Sequence, residues 1–245
     1  MANSSTMLTT SKRALIFSLS YFPMVGGAEV AVREITGRTR DIEFDMVTLR
    51  FDKAHPKFER IGNINVYRIS GGLGYLSKIF FVPQAALFAL RQKYDFHWAI
   101  MTYMLFPAAI ARICGNAAPY ILTIQDGDPF SRVFSRWFIW IFKPLLVYGF
   151  RRAAKVQAIS NYLAHWAEQM GYMGVVEVIP NGVDVPSETP RPIFEPHRTP
   201  VIGTAGPLEA VKGFPFFLGA AQRVAAANVA AEFLIAGAGP EEANL

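Results

Sequence analysis

Short apolar runs and amphipathic stretches alternate along this chain. Strand-like runs fall at Ala14–Ser20, Phe44–Leu49, Asn65–Ile69, Trp98–Thr102, Tyr120–Ile124, Lys155–Ala158 and Val175–Ile179. Between the first two, Ala28–Thr39 sets Val30, Val32 and Ile35 among charged positions, which predicts an amphipathic helix. Pro83–Gln92 and Pro107–Gly115 read as helices opened by a proline, which suits a first turn whose N–H has no helical partner anyway. Asn161–Met170 reads as another helix, with Ser160 and Asn161 offering capping oxygens at its start. Strands alternating with helices in this way predict an α/β fold with a doubly wound, mostly parallel sheet.

After the turn signal Pro180-Asn181-Gly182, the chain becomes rich in proline and charge and loses its periodicity. A second strand–helix–strand series follows at Val201–Thr204, Phe214–Ala227 and Glu232–Ala236. The expected organisation is a polar, disordered leader at 1–12, a Rossmann-like domain at 13–183, a linker at 184–199 and a partial second domain at 200–245.

Composition narrows this picture. The chain has 245 residues, of which 52% are hydrophobic and 18% charged, too apolar a balance for a disordered protein. The net charge of +5 points to an acidic ligand, an anionic membrane surface or nucleic acid without choosing among them. The single cysteine, Cys114, excludes a disulfide framework and lies in an apolar run, where burial as a small side chain is expected. Lys12-Arg13 followed by ALIFSLSYF has the look of a signal peptide. The run is short, however, and Gly26-Gly27 arrives where a first strand-to-helix turn belongs, so the segment reads as the first strand of a cytoplasmic protein. No run reaches the roughly 18 apolar residues of a membrane span. The four histidines form no ligand cluster in sequence, and no metal is expected.

Two glycine-containing turns carry the candidate chemistry. In Ile202–Gly213, IGTAGPLEAVKG, a strand leads through Gly206 to Lys212 and Gly213 just ahead of a helix. A helix start offers unpaired N–H groups and the positive end of its dipole, and a lysine adds a mobile cation, so the turn suits a phosphate. The pair Gly26 and Gly27 follows the first strand and lets a backbone approach a ligand closely. Neither turn has the dinucleotide or Walker A pattern. A third feature, Ser131–Arg152, is rich in aromatic residues and bracketed by arginines. It reads either as a buried helix pair covering the sheet or as a membrane or acceptor surface carried by Arg136, Trp137, Trp140, Arg151 and Arg152. Lys143 and Pro144 interrupt it, against a span.

Taken in order, the P-x-x-G-G-A-E loop, SNYL, VIPNGVD, GPLEAVKGFPFFLGAA and FLIAGAGPEEANL resemble glycosyltransferase family 4, with the GT-B fold. The resemblance implies two Rossmann-like domains facing across a cleft, the first for the acceptor and the second for a nucleotide-diphosphate sugar. It implies retaining glycosyl transfer from a UDP- or GDP-sugar to a polysaccharide or lipid-linked acceptor, with no cofactor. Gly26, Gly27, Gly206 and Lys212 match positions near the donor phosphates, and Gly237, Gly239 and Pro240 match the turn near the nucleotide base. Gln125 and Asp126 stand where the family often has a histidine that supports the sugar, and with Lys212 they are the catalytic candidates. Pro207 stands where the family has an arginine. Family members run on for roughly a hundred residues with an E-x7-E element, so the resemblance implies a second domain truncated at Leu245. An inactive acceptor-binding or assembly module is the alternative. The expected setting is cytoplasmic, peripheral at the inner face of the plasma membrane, with no nucleic-acid partner.

Overall fold

The computed structural model describes residues 11–72, 74, 76–134, 137–185 and 199–245, without the side chains of residues 137–139. Most of the expected leader, 1–12, and most of the expected linker, 184–199, lie outside the described residues, and Lys12 already belongs to the first strand. The chain forms two compact units, Met1–Asp184 and Val185–Leu245.

The first unit is an α/β sandwich around one sheet. Its strands are β1 (Lys12–Phe17), β2 (Ile42–Leu49), β3 (Phe58–Ile61), β4 (Ile64–Ile69), β5 (Phe96–Ile100), β6 (Tyr120–Ile124), β7 (Lys155–Ala158) and β8 (Val176–Val178). The spatial order is β3-β4-β2-β1-β5-β6-β7-β8, and every neighbouring pair is parallel except β3 with β4. The helices are α1 (Gly27–Arg38), α2 (Leu76–Arg91), α3 (Leu105–Ile113), α4 (Phe130–Phe134), α5 (Trp137–Arg152) and α6 (Asn161–Gln169).

Strand alternation divides the buried side chains into two cores. In β1, Leu15 and Phe17 point to one face, while Ala14 and Ile16 point to the other. In β2, Val47 and Leu49 join the first core, and Phe44 and Met46 the second. The first core is covered by α2 through Phe81 and Ala85, α3 through Leu105 and Ala108, α5 through Leu146 and Phe150, and α6 through Trp166. Among the described residues the second core is covered by α1, through Ala28 and Val32, and by Tyr21 and Phe22 of the loop before it. Ser160 caps α6 as expected, its hydroxyl accepting from the Leu163 N–H at 3.3 Å.

Three expectations are corrected. The hairpin strand β3 has no apolar run to announce it; its signal was the two-residue turn Gly62-Asn63, which joins it to β4. Helix α2 starts at Leu76, so Pro83 lies inside it rather than at its first turn. Pro83 is on the exposed side, where water can meet the carbonyl freed by its missing N–H. Cys114 is exposed at the end of α3, not buried, because the buried face of that helix ends at Ala111.

The second unit is a strand–helix–strand: β9 (Val201–Ala205), α7 (Phe214–Ala226) and β10 (Glu232–Ala236). β9 and β10 are parallel, with Ala205 opposite Ala236. Phe217 of the helix meets Phe233 of β10 at a ring separation of 5.8 Å.

One buried titratable group ties the first core to pH. His97 is 1% exposed, between Phe17 and Tyr94, and among the described residues its Nε2 has no hydrogen-bond partner. Burial lowers its pKa from 6.5 to about 4. The native state therefore favours neutral imidazole, and stability is complete above pH 6.5 and lost as pH falls toward 4. At 1.36 kcal/mol per pKa unit, the loss is roughly 3 kcal/mol. Urea unfolding of the wild type and His97→Phe at pH 7 and pH 5 should show a smaller acid loss in the variant. Equal losses would mean that His97 binds its proton no less readily in the native state than in the unfolded chain.

Candidate functional site

In a parallel sheet the carboxyl ends of the strands share one edge, and a crevice opens where the strand order reverses. That reversal lies between β1 and β5, because the chain leaves β1 toward β2 on one side and returns to β5 on the other. The loops after β1, β5 and β6 meet there.

The β1 loop ends at Gly26, the N-cap of α1. Glu29, in the first turn, is 7% exposed and accepts a hydrogen bond from the Ser20 hydroxyl at 2.6 Å. A Cβ on Gly26 would stand 2.8 Å from the Glu29 carboxylate, so the glycine makes room for a side chain of its own protein. Gly27 has open space at the same point. Tyr21, in this loop, is 3% exposed; burial pushes its pKa up to about 12, opposed by Arg33.

Asp126 follows β6 and accepts two hydrogen bonds from Thr102, from its N–H at 3.1 Å and its hydroxyl at 3.0 Å. It thereby ties the β6 loop to the β5 loop, where Met101 takes a left-handed φ of 69°. Burial raises its pKa and the Thr102 hydrogen bonds oppose that rise.

Gln125 points to the other face. Tyr120, Leu122 and Ile124 of β6 enter the first core, which turns Thr123 and Gln125 toward the side covered by α1. There they floor a groove of 720 Å³ with Trp98 and Gln157, between α1 and residues 179–184. Trp98 donates its indole N–H to the Thr123 hydroxyl at 2.9 Å, and Asn181 donates its amide to Gln125 at 3.3 Å. Arg38 holds the far wall through Asp184 at 2.8 Å. The volume lies in the range of small-molecule sites.

In the second unit, Gly206 follows β9, and Gly237, Gly239 and Pro240 follow β10. The two turns are laced together: the Gly206 N–H donates to Ala236, and the Leu208 N–H to Ala238, both at 3.0 Å. A Cβ on Gly237 would lie 2.0 Å from the Gly206 carbonyl oxygen, and one on Gly239 2.5 Å from that of Leu208. These glycines are thus required by the contact between the turns. Lys212 ends a short 3₁₀ turn, Ala210–Lys212, and is followed by Gly213 at φ 74°, the N-cap of α7. The Lys212 side chain is exposed, and among the described residues it has no hydrogen-bond or ion-pair partner.

Of the candidates read from the sequence, Gly206, Lys212, Gly237 and Gly239 lie in adjoining turns of the second unit. Sequence reasoning passed over Thr102 and Trp98 as site residues, which no motif marks, and read Asn181 only as part of the turn after β8. Arg136 and the Trp137 side chain lie outside the described residues. Trp140 is exposed, and so are Arg151 and Arg152, but these sit at opposite ends of α5 and form no single cluster.

The family described as Glycosyltransferase Family 4 matches residues 25–186. No curated protein matches the chain in sequence. Among solved structures, the chain resembles the apo form of the lipopolysaccharide outer core galactosyltransferase WaaB, at 18% identity and a TM-score of 0.61, covering 95% of this chain and 62% of that one. It also resembles a trehalose-6-phosphate structure from E. coli bound with UDP-2-fluoro glucose, at 14% identity and a TM-score of 0.62, covering 94% and 66%. Anabaena HepE, in complex with UDP and glucose, matches at 16% identity and a TM-score of 0.56, covering 92% and 69%. The chain thus spans about 62% of the length of WaaB. At these identities the structures establish the shared fold, whereas the family match takes in well over half of the sequence, and the chain belongs to Glycosyltransferase Family 4.

Proposed function

We propose that this chain serves retaining glycosyl transfer from a nucleoside-diphosphate sugar, UDP or GDP, to a polysaccharide or lipid-linked acceptor. The observation that carries the reading is Lys212, an exposed cation placed one residue before the N-cap of α7. In this reading the donor diphosphate lies against Lys212 and the Phe214 N–H at the start of α7, since Pro215 has no N–H and those of Phe216 and Phe217 donate to the Gly213 carbonyl. As the sugar leaves, negative charge grows on the diphosphate, and the Lys212 cation beside a backbone donor stabilises it. The Gly237–Pro240 turn carries the base. No metal or cofactor is assigned a role.

In the first unit, the groove floored by Gln125 offers hydroxyl-matching partners to an acceptor, since amide and hydroxyl groups both donate and accept. Asp126 is a positioning residue, acting through Thr102. The setting proposed is the cytoplasm. Pro207, in the place of a second diphosphate cation, favours a second reading in which the chain binds acceptor without transferring sugar.

Titration of the folded chain with UDP- and GDP-sugars tests the first reading. Lys212→Ala should weaken binding of the preferred donor by roughly 1–3 kcal/mol, the worth of a charged hydrogen bond. Unchanged affinity would remove Lys212 from the site, and no binding by the wild type at millimolar donor would favour the second reading. Asp126 adds a pH prediction. Its raised pKa means that the native state holds a proton more tightly than the unfolded chain, so its carboxyl costs stability as pH rises from the ordinary aspartate value through the raised one. Asp126→Asn still accepts from Thr102 but cannot ionise, so its unfolding midpoint should fall less than that of the wild type across this window. Parallel curves would contradict the assignment.

A further inference from the structure

The layer of helices over the first core has an outer surface unlike the rest of the unit. Helix α2 is apolar on two sides. Ser77, Phe81, Ala85 and Ala89 face the sheet, while Leu76, Ile79, Phe80, Leu87 and Leu90 are exposed, Ile79 by 54% and Leu87 by 48%. A helix hydrophobic all round is normally covered on every side. Helix α3 packs between α2 and α5, and the exposed apolar surface resumes on α5 with Trp140, Ile141 and Phe142, Trp140 being 72% exposed. Phe142 meets Phe106 of α3 edge-on at 6.2 Å, and the Tyr103 hydroxyl donates to the Lys78 carbonyl at 3.0 Å, which links the amino ends of the three helices.

Charge on α2 to α5 is one-sided, whereas α6, which completes the layer, carries Glu168 beside His165. None of α2, α3, α4 and α5 contains an aspartate or glutamate, even in the first turn, where the helix dipole favours one. The chain has 19 acidic residues, so a layer of four helices would ordinarily hold several. Cations are present: Arg91 on α2, Arg112 on α3, and Lys143, Arg151 and Arg152 on α5. Helix α1, on the opposite face, mixes its signs, with Arg33 and Arg38 paired to Glu34.

We propose that the outer face of α2, α3 and α5 docks on an anionic lipid bilayer surface, with the apolar stripe of α2 and Trp140, Ile141 and Phe142 of α5 entering the interfacial region. Exposed aliphatic and aromatic side chains with cations and no acids are what such a surface attracts. A second copy of the chain fits less well, because a two-fold contact of this face with itself would set cations against cations with no acid between them. The helices lie on the surface: among the described residues none is long and apolar enough to cross a membrane. This docking does not depend on the sugar-transfer reading.

The test is co-sedimentation of the full chain with vesicles of mixed phosphatidylcholine and phosphatidylglycerol, and with vesicles of phosphatidylcholine alone. The expected result is binding to the anionic vesicles that falls steeply with added salt, and little binding to the neutral ones. Lys143→Gln, beside Trp140, Ile141 and Phe142, should lower partitioning by about fivefold, the equivalent of one cation near an anionic surface. Leu87→Gln and Trp140→Ser, both at exposed positions, should lower it at every salt concentration, with unfolding midpoints near the wild type. Absence of binding to the anionic vesicles by a folded chain would overturn the proposal. So would a concentration-dependent dimer in sedimentation velocity that Leu87→Gln dissolves while vesicle binding is unaffected.

Discussion

Strand polarity is the constraint on which the first unit depends. Seven of the eight strands run in one direction, so the loops that follow them gather along one edge, and the order reverses between β1 and β5. The arrangement requires that adjoining loops be fixed against one another at that point. Asp126 does this by accepting both the N–H and the hydroxyl of Thr102, at the cost of holding a carboxyl where burial opposes its charge. The same polarity decides which β6 side chains are available. Leu122 and Ile124 go to the core, and Thr123 and Gln125 are left for the groove beside α1.

The two faces of the sheet are consequently covered in different ways. One has a continuous layer of helices, of which α2, α3 and α5 are acid-free and α2 and α5 are apolar even on their outer side. The other has a single helix of mixed charge, leaving a groove with a polar floor over β5, β6 and β7. Small polar partners suit the groove, and an extended apolar, anionic surface suits the helix layer. The second unit is governed by a different constraint, the close contact of two turns that leaves no room for a Cβ at Gly237 or Gly239.

Much of this was legible in the sequence because it rests on local patterns. Apolar periodicity located the parallel strands, and Ser160 announced α6. The phosphate-compatible turn at Gly206–Gly213 was visible because glycine, lysine and a following helix are close in sequence. What the sequence hid is mostly non-local. The Asp126–Thr102 tie joins residues 24 positions apart, and the Asn181–Gln125 contact spans 56. Glycine was the least transparent residue type. Gly26 read as room for a ligand, yet the space above it is taken by the Glu29 carboxylate, and Gly237 and Gly239 owe their lack of a side chain to the backbone of the adjoining turn. β3 escaped notice because a short edge strand bearing charge has no apolar run, and α2 was read short because Pro83 resembled a first-turn proline.

The central claim is that the turn ending at Gly213 holds the donor diphosphate. Amide hydrogen exchange of the chain with and without a UDP- or GDP-sugar tests it most directly. The account predicts slowed exchange at residues 206–214 and at the 237–241 turn when donor is bound. Protection confined to the groove of the first unit, with residues 206–214 exchanging as in the free chain, would contradict it.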